Sequence, residues 1–389
     1  MSEAITSDFL MKTPFHARTA PLCLSGKWGR WAGYSSVDCF YSVTEEYFAV
    51  RTAASLFDMS PMIKYRVTGR DAARFVNRLI TRDIGACPPG HGLYVCWCDG
   101  DGKLIEDGTV FRLAENDFQI NTAEHNFCWF EDTALGLDVT IADVSEEFAA
   151  LALQGPLSRL VLERLGLTGI EAMPYFGLAW FTLDEAPLLV SRTGFTGDLG
   201  YELWIEPGRA EMLWDRLMAA GKDHRLTPIG AAALEMVRIE AGLIEIGFDY
   251  IGAEAALRES RKRSPYELGL GWLVDLKKSY FVGKRALAEE KRRGGPRWRL
   301  VGLEIEGNKP AIESFIYRGR TEVGHVTSAM WSPTLKKNIA IAVLEAPYAT
   351  PKADLWAEIW HPRELEIRKI NAPCRVVRRP FYDPPRRKA

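Results

Sequence analysis

The sequence predicts an α+β protein that ends in a small β-barrel or sandwich. Up to about residue 275, segments with helical spacing of apolar residues alternate with short β-rich runs. Beyond residue 298, six short β-rich runs follow one another at intervals of about 8–15 residues. Between these parts, residues 276–297 combine a run of charges with the break Gly294-Gly295-Pro296. We therefore expect a linker there and a separate C-terminal domain over 298–380.

The elements of the first part can be placed in chain order. Residues 1–40 mix aromatic residues with glycines, which indicates an irregular but packed entry segment. Thr44 with two following glutamates is a typical helix start, and the turn at 99–102 between two β-rich runs indicates an antiparallel meander. The predicted elements are helices at 44–57, 69–80, 124–135, 156–165, 210–220 and 230–241, and strands at 63–67, 93–98, 104–111, 117–121, 149–153, 188–191 and 201–205.

Composition argues against several classes of protein. The 389 residues are 47% hydrophobic with a formal net charge of −2, so we expect a large core and no nucleic-acid partner. We find neither a signal-peptide pattern nor an apolar run of about 18 residues, so no membrane span is expected. Seven scattered cysteines favour a reducing, cytoplasmic setting, and Cys96 with Cys98 lacks a second pair for a metal site.

A glycine-rich stretch stands between two β-rich runs within residues 188–205. Gly194, Gly197 and Gly200 permit tight turns and close approach of the backbone to a ligand. Glu202 falls inside the second run, where a buried carboxylate without a partner is costly. Two interpretations are open: a hairpin with Glu202 on its solvent face, or a turn that presents Glu202 to a ligand.

Several motifs, in this order, resemble those of the aminomethyltransferase family, which includes the folate-binding T-protein of the glycine cleavage system. Each motif alone is a weak signal, and their shared order makes the resemblance strong. The matching segments are residues 55–62 (S-L-F-D-M-S-P-M), 106–107 (E-D, after a glycine turn), 152–156 (A-L-Q-G-P), 192–202 (R-T-G-F-T-G-D-L-G-Y-E), 238–243 (R-I-E-A-G-L), 332–338 (S-P-T-L-K-K-N) and 380–382 (P-F-Y).

The resemblance implies three lobes in a cloverleaf, with two α+β lobes over 1–275, a C-terminal β-barrel, and a central pocket for tetrahydrofolate. Glu202 is similar to the pterin-binding glutamate of the family, because a carboxylate suits the flat donor pair of the pterin. Met62 matches a pterin contact, and Phe195 stands where the family often has tyrosine. Tyr175 and Phe176 offer stacking against the pterin, or else belong to the ordinary core.

Asp107 resembles the carboxylate that the family sets beside the reacting nitrogens of folate. Such a group can orient an amine and stabilise positive charge that develops on it. The alternative is an acid that merely flanks a turn of the meander. The neighbouring Glu106 should point to the opposite face if the segment is extended. Arg386 lies near the position of a tail arginine that reaches the folate, with a plain basic terminus as the other interpretation.

Some positions depart from the T-protein pattern. Leu234 and Glu235 stand where T-proteins have arginine and aspartate, so the contact to the folate tail must differ. In the C-terminal domain, residues 308–312 lack the arginine of T-proteins, and Lys309 is the only replacement there. These losses argue against docking of the lipoyl-carrying H-protein. We expect Arg238 to hold a buried carboxylate, such as Glu240.

The entry segment is rich in aromatic residues, which suits a small methylated substrate held by cation–π contacts. The sequence therefore favours a tetrahydrofolate-dependent demethylase that moves a methyl group from a small O-, N- or S-methylated donor to N5 of tetrahydrofolate. Tyr34 and His125 are candidate proton donors to its leaving group. The alternatives are a glycine-cleavage aminomethyltransferase and a folate-binding protein without catalysis.

Overall fold

Helices and mainly antiparallel sheets alternate along most of the chain. A computed structural model describes residues 9–388, with Arg363 described by its backbone alone, so residues 1–8 of the expected entry segment lie outside the described residues. The α-helices are α1 (His16–Thr19), α2 (Val43–Thr52), α3 (Ala72–Leu79), α4 (Phe127–Ala134), α5 (Ser158–Leu165), α6 (Ala210–Gly221), α7 (Ala231–Glu240) and α8 (Lys284–Arg292). In residues 9–388 no helix is long and apolar enough to cross a membrane.

The strands form four sheets. The strands are β1 (Met11–Lys12), β2 (Lys27–Trp31), β3 (Tyr34–Cys39), β4 (Ala54–Asp58), β5 (Ile63–Thr68), β6 (His91–Cys98), β7 (Leu104–Ala114), β8 (Asp117–Thr122), β9 (Thr140–Asp143), β10 (Ala149–Gln154), β11 (Leu178–Leu183), β12 (Ala186–Ser191), β13 (Gly200–Ile205), β14 (Leu226–Pro228), β15 (Trp298–Ile305), β16 (Phe315–Arg318), β17 (Thr321–Ser332), β18 (Lys337–Glu345), β19 (Leu355–Arg363) and β20 (Glu366–Val377). Their order is β1-β3-β2 in the entry sheet, β11-β12-β13-β10-β4-β14 in the six-stranded sheet and β6-β7-β8-β5-β9 in the five-stranded sheet, with a closed barrel β15-β18-β17-β16-β19-β20.

The N-terminal region is more regular than expected, and one helix is shorter. The entry segment contains a small sheet, in which the side chains of β3 alternate between buried and half-buried. Helix α2 starts at the Ser42 cap and ends at Thr52, whereas the sequence predicted a helix over 44–57. Residues 54–58 instead form β4, because they pair with β10 on one side and β14 on the other. Tertiary pairing overrides the helical spacing there.

The last strands close into the barrel, so the α+β class with a C-terminal barrel is confirmed and the sandwich alternative is excluded. The segment predicted as a linker, 276–297, contains α8, and Leu287 of that helix is fully buried. Lys278 in the same segment donates to three backbone carbonyls around the end of α3. The segment is therefore packed, and the predicted division into domains stays a prediction.

A buried layer, here called the central cluster, lies where the two large sheets, α7 and the barrel meet. It takes Phe57 and Trp204 from the six-stranded sheet, Phe111 from the five-stranded sheet, Val237 from α7 and Met330 from the barrel. The outer sides of the sheets and the barrel interior have cores of their own. Each of the two large sheets thus presents one side to its own core and one side to the centre.

Candidate functional site

Asp107 lies on the side of the five-stranded sheet that faces the central cluster. It pairs with Cys96 in the register of β6 and β7, and Cys96 belongs to that cluster. Asp107 itself is half-buried. Glu106 points to the opposite side, where it is buried in the core of its own lobe. The two acids therefore face opposite ways, as the sequence predicted.

Two tyrosine hydroxyls hold the carboxylate of Asp107. Tyr94 donates to Oδ2 at 2.6 Å, and Tyr250 donates to Oδ1. The Tyr250 hydroxyl also accepts from the backbone amide of Asp107 at 3.2 Å. Burial raises the pKa of Asp107, and the hydrogen bonds from Tyr250 and Tyr94 act in the opposite direction. The carboxylate is thus fixed in orientation, and each of its oxygens keeps acceptor capacity for a ligand.

Neither tyrosine is among the site residues predicted from the sequence. Tyr94 carried a signal, because it lies two residues before Cys96 and therefore on the same side of β6. Tyr250 lies 143 residues from Asp107 in an irregular segment, and no local pattern joins the two.

Glu106 supports the local structure behind Asp107. Its carboxylate accepts from the backbone amides of Ala123 at 2.5 Å and Glu124 at 3.2 Å, and from the side-chain amide of Asn126. Burial raises the pKa of Glu106 to about 8, although these donors act in the opposite direction. Asn126 in turn accepts from the indole of Trp97 at 3.1 Å. The network fixes the loop after β8 to the strand that carries Asp107.

The buried Glu106 predicts a pH-dependent stability. Its folded-state pKa of about 8 lies above the ordinary 4.5, so its proton stabilises the fold below pH 4.5 and this contribution is lost as the pH rises through 8. Between pH 4.5 and about 8, the free energy of unfolding of the wild type, measured with urea, should fall by up to about 1.4 kcal/mol per pH unit relative to that of Glu106→Gln. The amide of that variant does not titrate. Glu147→Gln, on an exposed turn, is the control and should follow the wild type. Parallel curves for wild type and Glu106→Gln would contradict this account.

Glu202 lies on the centre-facing side of β13. It pairs with Ser191 of β12, and its Oε2 accepts hydrogen bonds from Thr193 Oγ1 at 2.6 Å and Ser191 Oγ at 3.2 Å. In the part of the chain that the structure describes, no hydrogen bond reaches Oε1. Burial raises the pKa of Glu202, and the two hydroxyls act in the opposite direction. The side chain is half-buried, which disfavours the interpretation that places it on a solvent face.

The glycine-rich stretch folds around the side chain of Gln154. That amide donates to the carbonyls of Thr193 and Tyr201 at 3.2 and 3.3 Å. A Cβ atom at Gly194 or Gly200 would lie 2.0 or 2.2 Å from Gln154 Oε1, so no side chain fits at either position. The glycines thus let the backbone wrap the amide, and this wrapping sets Thr193 beside Glu202.

The two carboxylates lie on sheets that contact each other. Phe111 is on the same side of β7 as Asp107, and Trp204 is on the same side of β13 as Glu202. The rings of Phe111 and Trp204 meet edge to face, with centroids 5.8 Å apart. Asp107 and Glu202 therefore both line the space between the sheets.

The other predicted pterin contacts surround this space. Tyr175 and Phe176 form an edge-to-face pair with centroids 4.9 Å apart, and both are half-buried. The carbonyl of Phe176 accepts from the amide of Gly92 on β6 at 2.8 Å, which ties this pair to the five-stranded sheet. Phe195 is half-buried in the glycine-rich stretch, and Met62 packs against the central cluster. Their contacts to folate stay predictions.

Arg386 is engaged with the glycine-rich stretch. Its Nε and Nη2 atoms bind the two carboxylate oxygens of Asp198 at 2.7 and 2.8 Å. The next residue, Arg387, donates to the hydroxyl of Tyr175 at 3.2 Å. The C-terminal segment is therefore ordered against the site, and the folate contact of Arg386 stays a prediction.

Tyr34 and His125 lie away from the other candidates. Tyr34 is on β3 of the entry sheet, where burial and nearby Glu146 and Asp143 raise its pKa. His125 is exposed in the loop that binds Glu106, on the far side of the five-stranded sheet from Asp107. Within residues 9–388, no described contact joins either of them to Asp107.

The acid held by Arg238 differs from the one expected. Arg238 binds Glu235 on its own helix and the buried Asp249, whereas Glu240 is bound by Arg51. Arg238 lies on α7 two residues before Glu240, so the helix turns the two side chains in different directions. Arg238 therefore holds a buried carboxylate as expected, but this acid is Asp249 and not the suggested Glu240.

Comparison with known proteins decides the family. Residues 13–278 match the model of the GCVT N-terminal domain, and residues 299–383 match that of the glycine cleavage T-protein C-terminal barrel domain. The chain belongs to the glycine cleavage T-protein family. The aminomethyltransferases of Bacillus cytotoxicus and Alkaliphilus oremlandii are 34% and 32% identical over 88% and 92% of this chain, and over 90% and 94% of their own lengths. The glycine cleavage system aminomethyltransferase T of Bartonella henselae shares the fold, with a TM-score of 0.84, 24% identity, and coverage of 96% of this chain and 98% of its own.

These findings confirm the resemblance and correct the predicted reaction. Proteins of this family bind tetrahydrofolate, and the chain is a one-carbon transferase of that kind. The prediction of a demethylase acting on a small methylated donor is wrong, because relatives that span most of the chain are named aminomethyltransferase. The prediction that an H-protein does not dock is not supported either, because it rested on single departures such as Leu234.

Proposed function

We propose that this protein is an aminomethyltransferase of the glycine-cleavage type. It would pass the carbon of an aminomethyl group, carried on the dihydrolipoyl arm of a carrier protein, to tetrahydrofolate with release of ammonia. The observation that carries the proposal is the carboxylate of Asp107, held between Tyr94 and Tyr250 on the side of its sheet that faces Glu202. The family names of the relatives support it.

Glu202 would hold the pterin end of the folate. Its Oε2 is occupied by Ser191 and Thr193, while Oε1 is left for a ligand donor in the described chain. A carboxylate accepts a flat pair of N–H donors well, and the residue is half-buried, so water competes little. The rings of Phe176 and Tyr175 offer apolar contact beside it. These groups suit a flat heterocycle with donors on its edge.

Asp107 would act electrostatically on the transferred carbon. The folate supplies a nucleophilic amine, and the Asp107 carboxylate orients it and stabilises the positive charge that develops during transfer. The hydroxyls of Tyr94 and Tyr250 favour the ionised form, because both donate to it. Preorganised in this way, the carboxylate needs no rearrangement at the moment of reaction.

The test is a reconstituted reaction. Purified protein is mixed with tetrahydrofolate and an aminomethyl-loaded lipoyl carrier protein, and 5,10-methylenetetrahydrofolate and ammonia are quantified. We expect both products in equal amounts, and neither when the carrier or the folate is omitted. Tight folate binding without either product would instead favour a folate-binding protein without catalysis, and the proposal would fail.

Glu202→Gln should weaken tetrahydrofolate binding by about 1–3 kcal/mol, because a charged acceptor is replaced by an amide that also brings a donor. Calorimetric titration under anaerobic conditions measures this. Glu206→Gln, an exposed glutamate four residues further on, is the matched control and should bind as the wild type does. Equal affinities for wild type and Glu202→Gln would remove Glu202 from the site.

A further inference from the structure

Asp249 is a buried acid that joins the barrel to the irregular segment after α7. Its Oδ2 accepts from the guanidinium of Arg238 and from the backbone amide of Glu245, the latter at 3.1 Å. Its Oδ1 accepts from the hydroxyls of Thr327 at 2.5 Å and Ser328 at 2.8 Å, both on β17 of the barrel. The carboxylate is therefore held by the N-terminal region through one oxygen and by the barrel through the other.

A β-bulge brings both barrel hydroxyls to this carboxylate. The pairing of β17 with β18 shifts between Val326 and Ser328, so Thr327 is an extra residue on β17. In a regular strand, the side chains of Thr327 and Ser328 would point to opposite sides. Here both hydroxyls donate to the same oxygen of Asp249. The barrel thus offers two donors at a point where a regular strand would offer one.

Asp249 directly precedes Tyr250, which holds the reacting carboxylate. The Tyr250 hydroxyl donates to Oδ1 of Asp107 and accepts from its backbone amide at 3.2 Å. Tyr250 lies outside the helices and the strands of the four sheets, so no regular element fixes its backbone. Four donors hold the carboxylate of Asp249 next to it. The position of Tyr250 is therefore set in large part by the contacts of its neighbour.

The two hydroxyls give Asp249 a direction, since its charge is already balanced. Arg238 supplies the counter-charge, and both members of this ion pair are completely buried. A hydroxyl adds no charge, but its hydrogen bond to a carboxylate is short and directional. Thr327 and Ser328 therefore fix where Asp249 lies relative to the barrel, while Arg238 accounts for its burial as an ion.

Resting on the proposed function, we propose that Thr327 is a positioning residue for the transfer step. Its hydroxyl sets Asp249 against the barrel, Asp249 sets the backbone of Tyr250, and the Tyr250 phenol sets the carboxylate of Asp107. A small displacement of a group that acts on the transition state is costly, even when its cause lies far from the reacting atoms. The barrel thereby takes part in the reaction although Thr327 supplies no reacting group.

The test is a double-mutant cycle between Thr327 and Tyr250. Thr327→Val removes the hydroxyl and keeps the shape of the side chain, and Tyr250→Phe removes the phenol oxygen. Turnover is measured with saturating tetrahydrofolate and aminomethyl-loaded carrier protein. We expect Thr327→Val to lower kcat about threefold to tenfold in the wild-type background and to have no further effect in the Tyr250→Phe background. Calorimetry should find the affinity of Thr327→Val for tetrahydrofolate unchanged, which separates positioning from binding.

Two further variants distinguish the hydroxyl from the packing of the side chain. Thr327→Ser keeps the hydroxyl and loses the methyl group, so it should retain most of the wild-type kcat. Thr321→Val makes the same substitution as Thr327→Val at the exposed start of β17. It is the matched control and should leave kcat unchanged.

The outcomes separate the inference from the proposed function. An equal fall in kcat in both backgrounds would show that Thr327 does not act through Tyr250, and an unchanged kcat in Thr327→Val would show that the barrel contact is not needed. Either result overturns the inference and leaves the proposed function standing, whereas absence of product with the wild type would overturn both. If Thr327→Val does not fold, Ser328→Ala removes the other hydroxyl and decides in the same cycle.

Discussion

Asp107→Asn is expected to lower kcat by about two to three orders of magnitude, with tetrahydrofolate affinity nearly unchanged. The amide keeps the shape of the side chain but removes the negative charge that would stabilise the transferred carbon. It also brings a donor into a site where Tyr94 and Tyr250 both donate, so one phenol must turn away or lose its acceptor. Single-turnover kinetics with aminomethyl-loaded carrier protein, alongside calorimetric folate binding, measure the two quantities separately.

The controls distinguish charge from orientation. Tyr94→Phe removes one hydrogen bond with Asp107, and Tyr250→Phe removes two, one of them accepted from the Asp107 backbone amide. Both variants keep the charge of Asp107, so each should cost less than Asp107→Asn. Asp101→Asn, in the exposed turn before β7, should leave kcat unchanged. A fall in folate affinity equal to the fall in kcat would show that Asp107 binds the ground state, and the electrostatic role would be lost.

Arg51→Met is expected to destabilise the protein by about 3–5 kcal/mol, as is usual when a buried ion pair loses one partner. Arg51 donates to Glu240 Oε2 at 2.8 Å and to the carbonyls of Thr196 and Val237 at 2.9 and 3.1 Å. Both charged side chains are almost completely buried. Methionine fills similar volume but leaves the carboxylate of Glu240 without a counter-charge. Urea unfolding at constant pH measures the loss.

The same substitution at the surface provides the control. Arg18 pairs with Asp215 and Glu211 in solvent, so Arg18→Met should change stability little. Adding Glu240→Gln to Arg51→Met should recover part of the loss, because the unpaired charge disappears. No recovery in the double variant would show that the loss comes from the carbonyl contacts and not from the ion pair.

The features that could be predicted from the sequence are those marked by the alternation of side chains along strands and by short motifs. The opposite directions of Glu106 and Asp107 follow from strand geometry alone, and the glycines around Glu202 signalled a turn of unusual shape. The six late strands were predicted from β-rich runs bounded by turn residues, although β17 and β20 are 12 residues long. The resemblance then supplied the family and the folate.

What the sequence could not predict depends on contacts between distant segments. Tyr250 reaches Asp107 from an irregular segment, and Arg51 reaches Glu240 across 189 positions. The end of α2 was mispredicted because the helical spacing of apolar residues does not reveal that β4 pairs with β10. The predicted reaction is wrong for a different reason: it rested on the aromatic residues of the entry segment and on departures at single positions such as Leu234, against the agreement of the whole chain.

Residues 381–386 contact α7 and the glycine-rich stretch. The backbone amides of Phe381 and Tyr382 both donate to the carbonyl of Glu240 at 2.9 Å, and the Tyr382 ring lies 4.5 Å from the guanidinium of Arg51. Arg386 then binds Asp198 of the glycine-rich stretch. Without these residues, the Glu240 carbonyl would lose both of these donors and Asp198 would lose its contacts with Arg386.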